Sequence, residues 1–339
     1  MRSVQVTGVG ENGWAEVPEP EIGPRDVLLR IRACGVCGSD GMYSDMGGIP
    51  PHIGATRLGH EPAGEVVEIG AEVGSGIAIG DHVVIDVTKF ADGICGSGGA
   101  QGGLTEYVVV KEFEAGRQLR VIPKEIPWAV AALNEPMAVA HHAVNRSGAQ
   151  AGDRAVVFGA GPIGLGAVLS LKAKGVAHVV VVGRGGQRMQ KALDIGADAV
   201  IDSTTQDVVA GLKELHGEAP DTLGISMRAG SDVYIDAAGS PAVIEAAMAA
   251  AKSRAVIVVV ATHKTPILID FAQVLVQEID LRWSVAYPTE IFEVTDAIIA
   301  NPDKYAQIIS DSFPYDQALE ALDLAKTPGA AVKVLITLD

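Results

Sequence analysis

Apolar and polar positions follow two different patterns along the chain. Up to about Lys124, short β-rich runs such as Val27 to Ile31 and His82 to Val87 are separated by Gly, Pro and Asp. This pattern predicts an antiparallel or barrel-like domain with few helices. From about Ala155, apolar runs alternate with a helical pattern, which is typical of strands buried on both faces of a parallel sheet in a doubly wound α/β domain. The predicted elements of this part are a helix over Pro162 to Lys174 and strands over Ala155 to Phe158, His178 to Val182, Asp232 to Ile235 and Ala255 to Ala261.

The segment from Glu278 to Val285 alternates polar and apolar residues throughout. Strict alternation predicts a strand with one buried face and an exposed edge. An exposed edge can pair with a second subunit, so we expect a homodimer or homotetramer formed through residues 278–285. The alternative is an edge strand protected by its own charged side chains. The C-terminal part predicts a helix over Tyr315 to Lys326 and a strand over Ala331 to Thr337.

Length and charge narrow the class of protein. A chain of 339 residues predicts two domains. A net charge of −16, with no cluster of Lys or Arg, argues against a nucleic-acid partner. No apolar run reaches the roughly 18 residues of a membrane helix, and the N-terminus does not resemble a signal peptide, so we expect a cytoplasmic protein without a membrane partner. Three cysteines cannot form a disulfide framework and are interpreted as reduced thiols or metal ligands.

A glycine-rich turn follows the first predicted strand of the α/β part. Gly159, Gly161 and Gly164, with Pro162 and Ile163 between them, form a GxGxxG motif that opens a helix. The first glycine permits the tight turn, the second lets backbone N–H groups approach a pyrophosphate, and the third lets the helix pack on the sheet. In this context the motif predicts dinucleotide binding.

The end of the next strand indicates which dinucleotide is bound. NAD-binding units place a carboxylate about 20 residues after the glycines, but here the strand continues into Gly183, Arg184 and, further on, Arg188. Two guanidiniums can bind a 2′-phosphate, and Gly183 leaves room for it, so the sequence predicts NADP(H) in preference to NAD(H). The alternative is that Arg184 stacks on the adenine and Arg188 is solvated, which would leave the cofactor preference relaxed.

Three short segments carry residue types that bind zinc. They are Cys34 to Asp40, which contains a CxxC pair, Gly59-His60-Glu61, and Asn134-Glu135-Pro136. Three protein ligands and an open position would make a catalytic zinc site. The spacing alone equally allows buried thiols, a core histidine and a surface carboxylate.

Taken together, these motifs resemble the zinc-dependent medium-chain dehydrogenase/reductase superfamily, and the resemblance covers nearly the whole chain. It is greatest for the polyol (sorbitol), butanediol, threonine and glucose dehydrogenase branches. The matching segments are Cys37-Gly38-Ser39-Asp40, Gly59-His60-Glu61, Gly102 to Tyr107, Asn134-Glu135-Pro136, the glycine turn and Val332-Lys333-Val334. The resemblance implies a Rossmann doubly wound parallel-sheet domain plus a β-rich GroES-like catalytic domain.

The same resemblance assigns the metal ligands. It implies that Cys37, His60 and Glu135 bind one catalytic zinc ion and that Cys34 does not. Glu61 would be the neighbouring carboxylate that approaches the metal or holds its water.

The resemblance assigns three further roles. Ser39 would relay the alcohol proton, and Lys333 would contact the cofactor pyrophosphate. Tyr43 matches a substrate-pocket tyrosine of the polyol branch, although simple packing explains a tyrosine there equally well.

Two departures from the family pattern change what is expected. Many members carry four closely spaced cysteines that bind a structural zinc, whereas the segment 86–103 contains only Cys95, so no structural zinc is predicted. Relatives that use NAD carry Asp at the end of the second strand, where this chain has Gly183-Arg184.

The resemblance also implies the order of the domains and the activity. Residues 1–147 and 284–339 would form the catalytic domain, with residues 148–283 as the dinucleotide-binding domain. The expected enzyme transfers hydride between NADP(H) and a secondary alcohol, vicinal diol or polyol, or the matching ketone. The alternatives are a zinc-free NADPH-dependent quinone or enoyl reductase and a non-catalytic NADPH-binding protein.

Overall fold

A computed structural model describes residues 1–338, which divide into two compact units. One unit contains residues 1–135 and the C-terminal segment that begins at Ile291, and the other is Pro136–Glu290. The boundaries expected from the sequence, after residue 147 and before residue 284, differ from this division because most of the helix Asn134–Ser147 packs in the second unit. There the side chain of His141 bonds Ser170, and that of His142 bonds Glu290.

The elements are numbered along the chain. In the N-terminal part they are β1 Arg2–Gly8, β2 Glu11–Glu16, β3 Val27–Val36, α1 Gly38–Asp45, β4 Glu61–Ile69, β5 His82–Ile85, β6 Tyr107–Val110, β7 Leu119–Ile122, α2 Trp128–Ala131 and α3 Asn134–Ser147. The second unit continues with β8 Arg154–Phe158, α4 Pro162–Ala173, β9 His178–Gly183, α5 Gln187–Asp194, β10 Ala199–Asp202, α6 Val208–His216, β11 Glu218–Pro220, β12 Met227–Ala229, β13 Val233–Asp236, α7 Pro241–Ala250, β14 Val256–Val259, α8 Phe271–Gln277 and β15 Asp280–Trp283. The C-terminal segment adds α9 Glu293–Ala300, α10 Pro302–Ala306, β16 Asp311–Pro314, α11 Ala318–Lys326 and β17 Val334–Thr337.

The first unit is built on a mainly antiparallel sheet. The order of its strands is β16-β17-β3-β4-β5-β7, and β6 pairs with β3 outside this path. Alternate residues of β3, among them Val27, Leu29 and Ile31, enter an apolar core that also contains residues of β17 and α11. The two ends of the chain therefore share one core, and β3 is central because β17 and β4 flank it.

The second unit is a parallel sheet with the strand order β10-β9-β8-β13-β14-β15. Each neighbouring pair is parallel. The strands β8 and β9 are almost wholly buried, as continuous apolar runs require when helices cover both faces. The prediction of a doubly wound parallel sheet is confirmed, and the strand order reverses between β8 and β13, where such sheets bind their ligands.

The edge strand β15 differs from its prediction. It spans only Asp280–Trp283, and its neighbours in the sheet are on one side. The expectation of a single buried face through residue 285 is wrong, because Trp283 and Val285 are 66% and 82% exposed. Trp283 is the last residue of the edge strand, and Val285 follows it.

Within residues 1–338, no helix combines the length and the apolar character that crossing a membrane requires.

Candidate functional site

A cluster of three metal-binding residue types lies in the first unit. Cys37, His60 and Glu61 each offer one ligand atom, and these atoms lie within 4.8 Å of one another. Antiparallel pairing of β3 with β4 sets Gly35 opposite Glu61, so the end of β3 meets the start of β4. Cys37 follows β3 as the N-cap of α1.

Two glycines make room for this cluster. A Cβ on Gly35 would overlap the carboxylate of Glu61 and would meet Lys333 from the other side. Gly59 has a φ of +91°, and a Cβ there would lie 2.5 Å from the backbone N of Leu104. A side chain at either position would displace Glu61 or the turn that leads to His60.

The imidazole of His60 is held between Asp40 and Ser39. Its Nδ1 lies 3.4 Å from Oδ1 of the fully buried Asp40, and its Nε2 lies 3.2 Å from Oγ of Ser39. Burial lowers the pKa of His60, but the charges of Asp40 and Cys37 outweigh burial and raise the pKa well above its ordinary value. Asp40 also accepts the backbone N–H of Cys37, so one carboxylate orients both residues.

Glu61 forms a buried ion pair with Lys333. The two side chains are 1% and 2% exposed, and the ammonium also donates to the carbonyl of Val36 over 2.8 Å. Burial alone lowers the pKa of Lys333, but Glu61, Cys37 and Glu135 raise it above its ordinary value. The structure thus gives the Lys333 ammonium a carboxylate partner and a carbonyl, and the pyrophosphate contact that the resemblance implied stays a prediction.

Glu135 is the third zinc ligand that the resemblance implied. Glu135 lies in the first turn of α3, and its charge raises the pKa of Lys333. Within the part of the chain that the structure describes, the cluster with ligand atoms within 4.8 Å contains Glu61 and not Glu135, and the ligand role of Glu135 stays a prediction. Cys34 is fully buried, and burial raises its pKa well above the ordinary value, so it remains a thiol outside the cluster. Burial likewise raises the pKa of Cys95.

The residues present fit a zinc ion. Thiolate, imidazole and carboxylate are the ligand types that zinc selects. His60 Nδ1 and Asp40 Oδ1 are buried and face each other over 3.4 Å, with no other hydrogen-bond partner among the described residues. This is the pairing in which a ligand histidine directs its second ring nitrogen at a carboxylate.

Tyr43, on α1, lies beside the metal-binding cluster. Its ring centroid is 6.3 Å from that of His60, and its hydroxyl is 2.5 Å from Oγ of Ser97. Both Tyr43 and Ser97 are half-buried.

The glycine turn of the second unit has the geometry of a phosphate-binding turn. Gly159 has a φ of +101° and donates its N–H to Val182. Gly161 is the N-cap of α4, and Pro162 occupies the first turn of that helix. A Cβ on Gly164 would overlap the carbonyl of Gly159, whereas a Cβ on Gly161 would meet nothing within 4 Å. The backbone beside Gly161 is therefore open to a pyrophosphate, at the N-terminus of a helix.

The end of β9 carries the two expected arginines and an unexpected neighbour. Arg184 is exposed and Arg188 is half-buried. The adjacent strand β10 ends at Asp202, which pairs with Gly183, and its carboxylate lies beside Gly185. The sequence predicted no carboxylate at the end of β9, and β9 itself has none. The parallel neighbouring strand β10 nevertheless brings the carboxylate of Asp202 to this point. Hydrogen bonds from Thr204 lower the pKa of Asp202, so it is a carboxylate at neutral pH.

Sequence reasoning missed three residues near these sites. Asp40 stands in the Cys37-Gly38-Ser39-Asp40 motif, so its position three residues after a candidate ligand was an available signal. Ser97 contacts Tyr43, and Asp202 lies beside Gly185, because the fold brings these distant residues together. Nothing in the local sequence indicates those contacts.

A phosphate-binding turn on a doubly wound sheet, together with a thiolate, imidazole and carboxylate cluster, defines a class of dinucleotide-binding metalloprotein. Comparison with known sequences identifies the family. Residues 23–119 match the alcohol dehydrogenase GroES-like domain, and residues 162–300 match the zinc-binding dehydrogenase domain. The chain belongs to the zinc-dependent medium-chain dehydrogenase/reductase superfamily, as its motifs predicted.

Two curated relatives illustrate the similarity. The chain is 33% identical over 317 residues to an (R,R)-butanediol dehydrogenase of Neisseria gonorrhoeae, with 85% of this chain and 84% of the relative covered. It is 30% identical over 344 residues to a sorbitol dehydrogenase of Bombyx mori, with 95% and 94% covered.

Solved structures are similar over the full length. The 2R,3R-butanediol dehydrogenase of Bacillus subtilis superposes with a TM-score of 0.85 at 27% identity, covering 100% of this chain and 99% of the other. A Sinorhizobium meliloti structure described as a zinc-binding dehydrogenase bound to NADP superposes with a TM-score of 0.83 at 27% identity, covering 99% and 98%.

Proposed function

We propose that this protein is a zinc-dependent dehydrogenase that transfers hydride between NADP(H) and a secondary alcohol, vicinal diol or polyol. The observation that carries the proposal is the cluster of Cys37, His60 and Glu61, in a chain that also has an open phosphate-binding turn. The similarity to butanediol and sorbitol dehydrogenases supports an alcohol or polyol as the substrate.

Zinc would be held by Cys37, His60 and Glu135, with Glu61, which forms an ion pair with Lys333, as a neighbouring carboxylate. When bound, a zinc ion supplies Lewis-acid polarisation of the substrate oxygen. Asp40 orients the His60 ring through Nδ1, which leaves Nε2 directed toward Ser39. The Ser39 hydroxyl lies at the ligand atoms, where it takes the proton released by an alcohol.

Cofactor preference would follow from charge at the end of β9. Arg184 and Arg188 supply two positive charges for a 2′-phosphate, and Asp202 supplies one negative charge against it. The bound NADP in the Sinorhizobium meliloti structure is consistent with this preference.

Cys37→Ala tests the zinc site. We expect the variant to lose bound zinc and turnover while it retains its affinity for NADPH, measured by elemental analysis, initial rates and fluorescence titration. The control Cys34→Ala removes a neighbouring thiol outside the cluster and should keep one zinc ion per chain. Full zinc content with normal turnover in Cys37→Ala would refute the zinc proposal and favour a zinc-free reductase.

Charge reversal at Arg184 tests the cofactor preference. Arg184→Asp should shift the ratio of kcat/KM for NADP⁺ and NAD⁺ toward NAD⁺ by at least about tenfold, because it places a carboxylate against the 2′-phosphate. Asp202→Asn should move the same ratio in the opposite direction. An unchanged ratio in both variants contradicts the assignment.

A substrate panel tests the activity itself. Initial rates of NADP⁺ reduction are compared among vicinal diols, sugars, polyols, hydroxy amino acids and simple secondary alcohols. NADPH oxidation is then measured with the matching ketones and with quinones and enones. A preference for quinones or enones would support the alternative reductase, and NADPH binding without any turnover would support a non-catalytic protein.

We also propose that two copies associate through β15. Its free edge, together with the exposed side chains of Trp283 and Val285, offers a strand edge and an apolar surface to a second copy.

A further inference from the structure

Asp236 connects the segments that follow two neighbouring strands of the second unit. It is the last residue of β13 and is 1% exposed. One oxygen of its carboxylate accepts the backbone N–H groups of Ala238 and Gly239, in the turn after β13, each over 2.9 Å. Its backbone carbonyl accepts the N–H groups of Val260 and Ala261, which directly follow β14. A single buried residue thus binds the turn after β13 and the segment after β14.

His263 adds a second connection between these two segments. Its Nε2 lies 2.6 Å from the other carboxylate oxygen of Asp236, and because a carboxylate only accepts, the ring nitrogen donates. The side chain is 14% exposed, and its Nδ1 is buried without a hydrogen-bond partner among residues 1–338. The polar contact that fixes the His263 ring is therefore the one with Asp236.

The two segments also contact each other and the phosphate-binding turn. A Cβ on Gly239 would lie 2.7 Å from the carbonyl oxygen of Thr262, in the segment after β14. A Cβ on Gly159 would lie 3.0 Å from the carbonyl oxygen of Ala237, in the turn after β13. The phosphate-binding turn, the turn after β13 and the segment after β14 are thus in contact along the carboxyl edge of the sheet.

The position of these contacts relates them to one half of a dinucleotide. A doubly wound sheet binds a dinucleotide across the point where its strand order reverses, with one mononucleotide on each side. Here the order reverses between β8 and β13, and Arg184, proposed for the adenosine 2′-phosphate, follows β9. The nicotinamide nucleoside would therefore be next to the ends of β13 and β14, whose following segments Asp236 and His263 connect.

We propose that His263 is a positioning residue for the nicotinamide half of the cofactor. Through Asp236 it holds the segment after β14 to the turn after β13, so the surface that meets the nicotinamide nucleoside is formed before the cofactor binds. The inference rests on the dinucleotide binding of the proposed function. It depends on neither the zinc site nor the alcohol substrate.

Two ligands that differ by the nicotinamide nucleoside test the inference. Wild type, His263→Leu and His263→Gln are titrated by calorimetry with NADPH and with adenosine 2′-phosphate 5′-diphosphate, which lacks that nucleoside. His263→Leu cannot donate to Asp236, so it should weaken NADPH binding by about three- to tenfold and binding of the shorter ligand by less than about twofold. The amide of His263→Gln can donate to the same carboxylate and should recover most of the affinity for NADPH. Lys264→Ala, at the exposed neighbouring residue, is the control and should bind both ligands as wild type does.

The comparison of ligands separates this role from a purely structural one. An equal loss of affinity for both ligands in His263→Leu overturns the inference, and so does an unchanged affinity for NADPH. If His263→Leu does not fold, His263→Ala replaces it with the same expected results. A wild type that binds both ligands equally well keeps the adenosine half of the proposed site but overturns the inference. A wild type that binds neither ligand refutes the proposed function and the inference together.

Discussion

Asp40 shows how one side chain can organise a metal site. It is completely buried, accepts the N–H of Cys37 and faces Nδ1 of His60. A buried carboxylate that orients a ligand histidine increases its basicity and selects its tautomer. At the scale of single residues, the candidate zinc site therefore depends on a residue that need not touch the metal.

Asp40→Asn should weaken zinc binding by about 10- to 100-fold, because the amide cannot supply the negative charge that orients and polarises His60. Competition with a fluorescent zinc chelator measures this change. The matched control is Asp45→Asn, an exposed carboxylate at the other end of the same helix. Equal zinc affinity in wild type and Asp40→Asn would show that Asp40 has no such role.

His216 links the stability of the second unit to pH. Its Nε2 is 3.0 Å from Nδ1 of His178, and its Nδ1 is 2.7 Å from Oγ of Ser231. Burial, followed by the positive charges of His178 and Arg154, lowers the pKa of His216 to about 4. In the unfolded chain a histidine has a pKa near 6.5. Between these values the unfolded state binds more protons, so stability decreases as the pH falls from about 6.5 to about 4.

The contribution of His216 to the free energy of unfolding should decrease by about 2 kcal/mol between pH 7 and pH 5. The test is urea denaturation of wild type and His216→Gln at both pH values. The variant should be less stable at pH 7 and should show a smaller difference between the two pH values. His52→Gln, in the other unit, is the control. The same pH dependence in His216→Gln and wild type contradicts the assignment.

At the scale of elements, the glycines of the phosphate-binding turn are needed for different physical reasons. Gly164 must be small because α4 begins directly over the carbonyl of Gly159. Gly161 has open space around its Cα and an ordinary φ of −82°, so the folded apoprotein tolerates a side chain there.

Gly164→Ala should therefore lower stability, whereas Gly161→Ala should lower the affinity for NADPH. Gly164→Ala should destabilise the second unit by about 1–3 kcal/mol through overpacking. Gly161→Ala should keep its stability but lose NADPH affinity by at least about tenfold, because the methyl group occupies the approach of the pyrophosphate. Thermal denaturation without cofactor and fluorescence titration with NADPH measure the two effects. If Gly161→Ala binds NADPH as wild type does, the phosphate is not bound at this turn.

At the scale of the whole molecule, the free edge of β15 is the feature that association with a second copy would cover. Edge strands with exposed apolar residues are usually protected or paired. Here the charged residues Asp280 and Arg282 bond each other, while Trp283 and Val285 stay exposed.

Val285→Asp should convert a dimer or tetramer into a smaller species, because it places a charge in an apolar contact between copies. Light scattering coupled to size exclusion gives the mass in solution. Val9→Asp is the control, since Val9 is 77% exposed in the other unit. A wild-type protein that is already a monomer, or a Val285→Asp protein with unchanged mass, would exclude this interface.

The local sequence contained enough to predict the elements and the turn. Continuous apolar runs predicted β8, β9, β13 and β14 because burial on both faces leaves no position for polar residues. The GxGxxG spacing predicted the turn because its backbone geometry depends on neighbouring residues alone. The alternation after residue 278 predicted a strand correctly but gave the wrong exposure for Trp283, since exposure depends on what packs against the sheet edge.

By itself, then, the sequence determined the α/β class, the phosphate-binding turn and the family. Only the tertiary structure showed that Glu61 lies beside Cys37 and His60, where the ammonium of Lys333 lies, and that Ser97 and Asp202 lie beside Tyr43 and Gly185. Strand periodicity and turn geometry are set by residues close together in the chain, so they can be read locally. These side-chain contacts join residues separated along the chain, and strand pairing, packing and burial determine them.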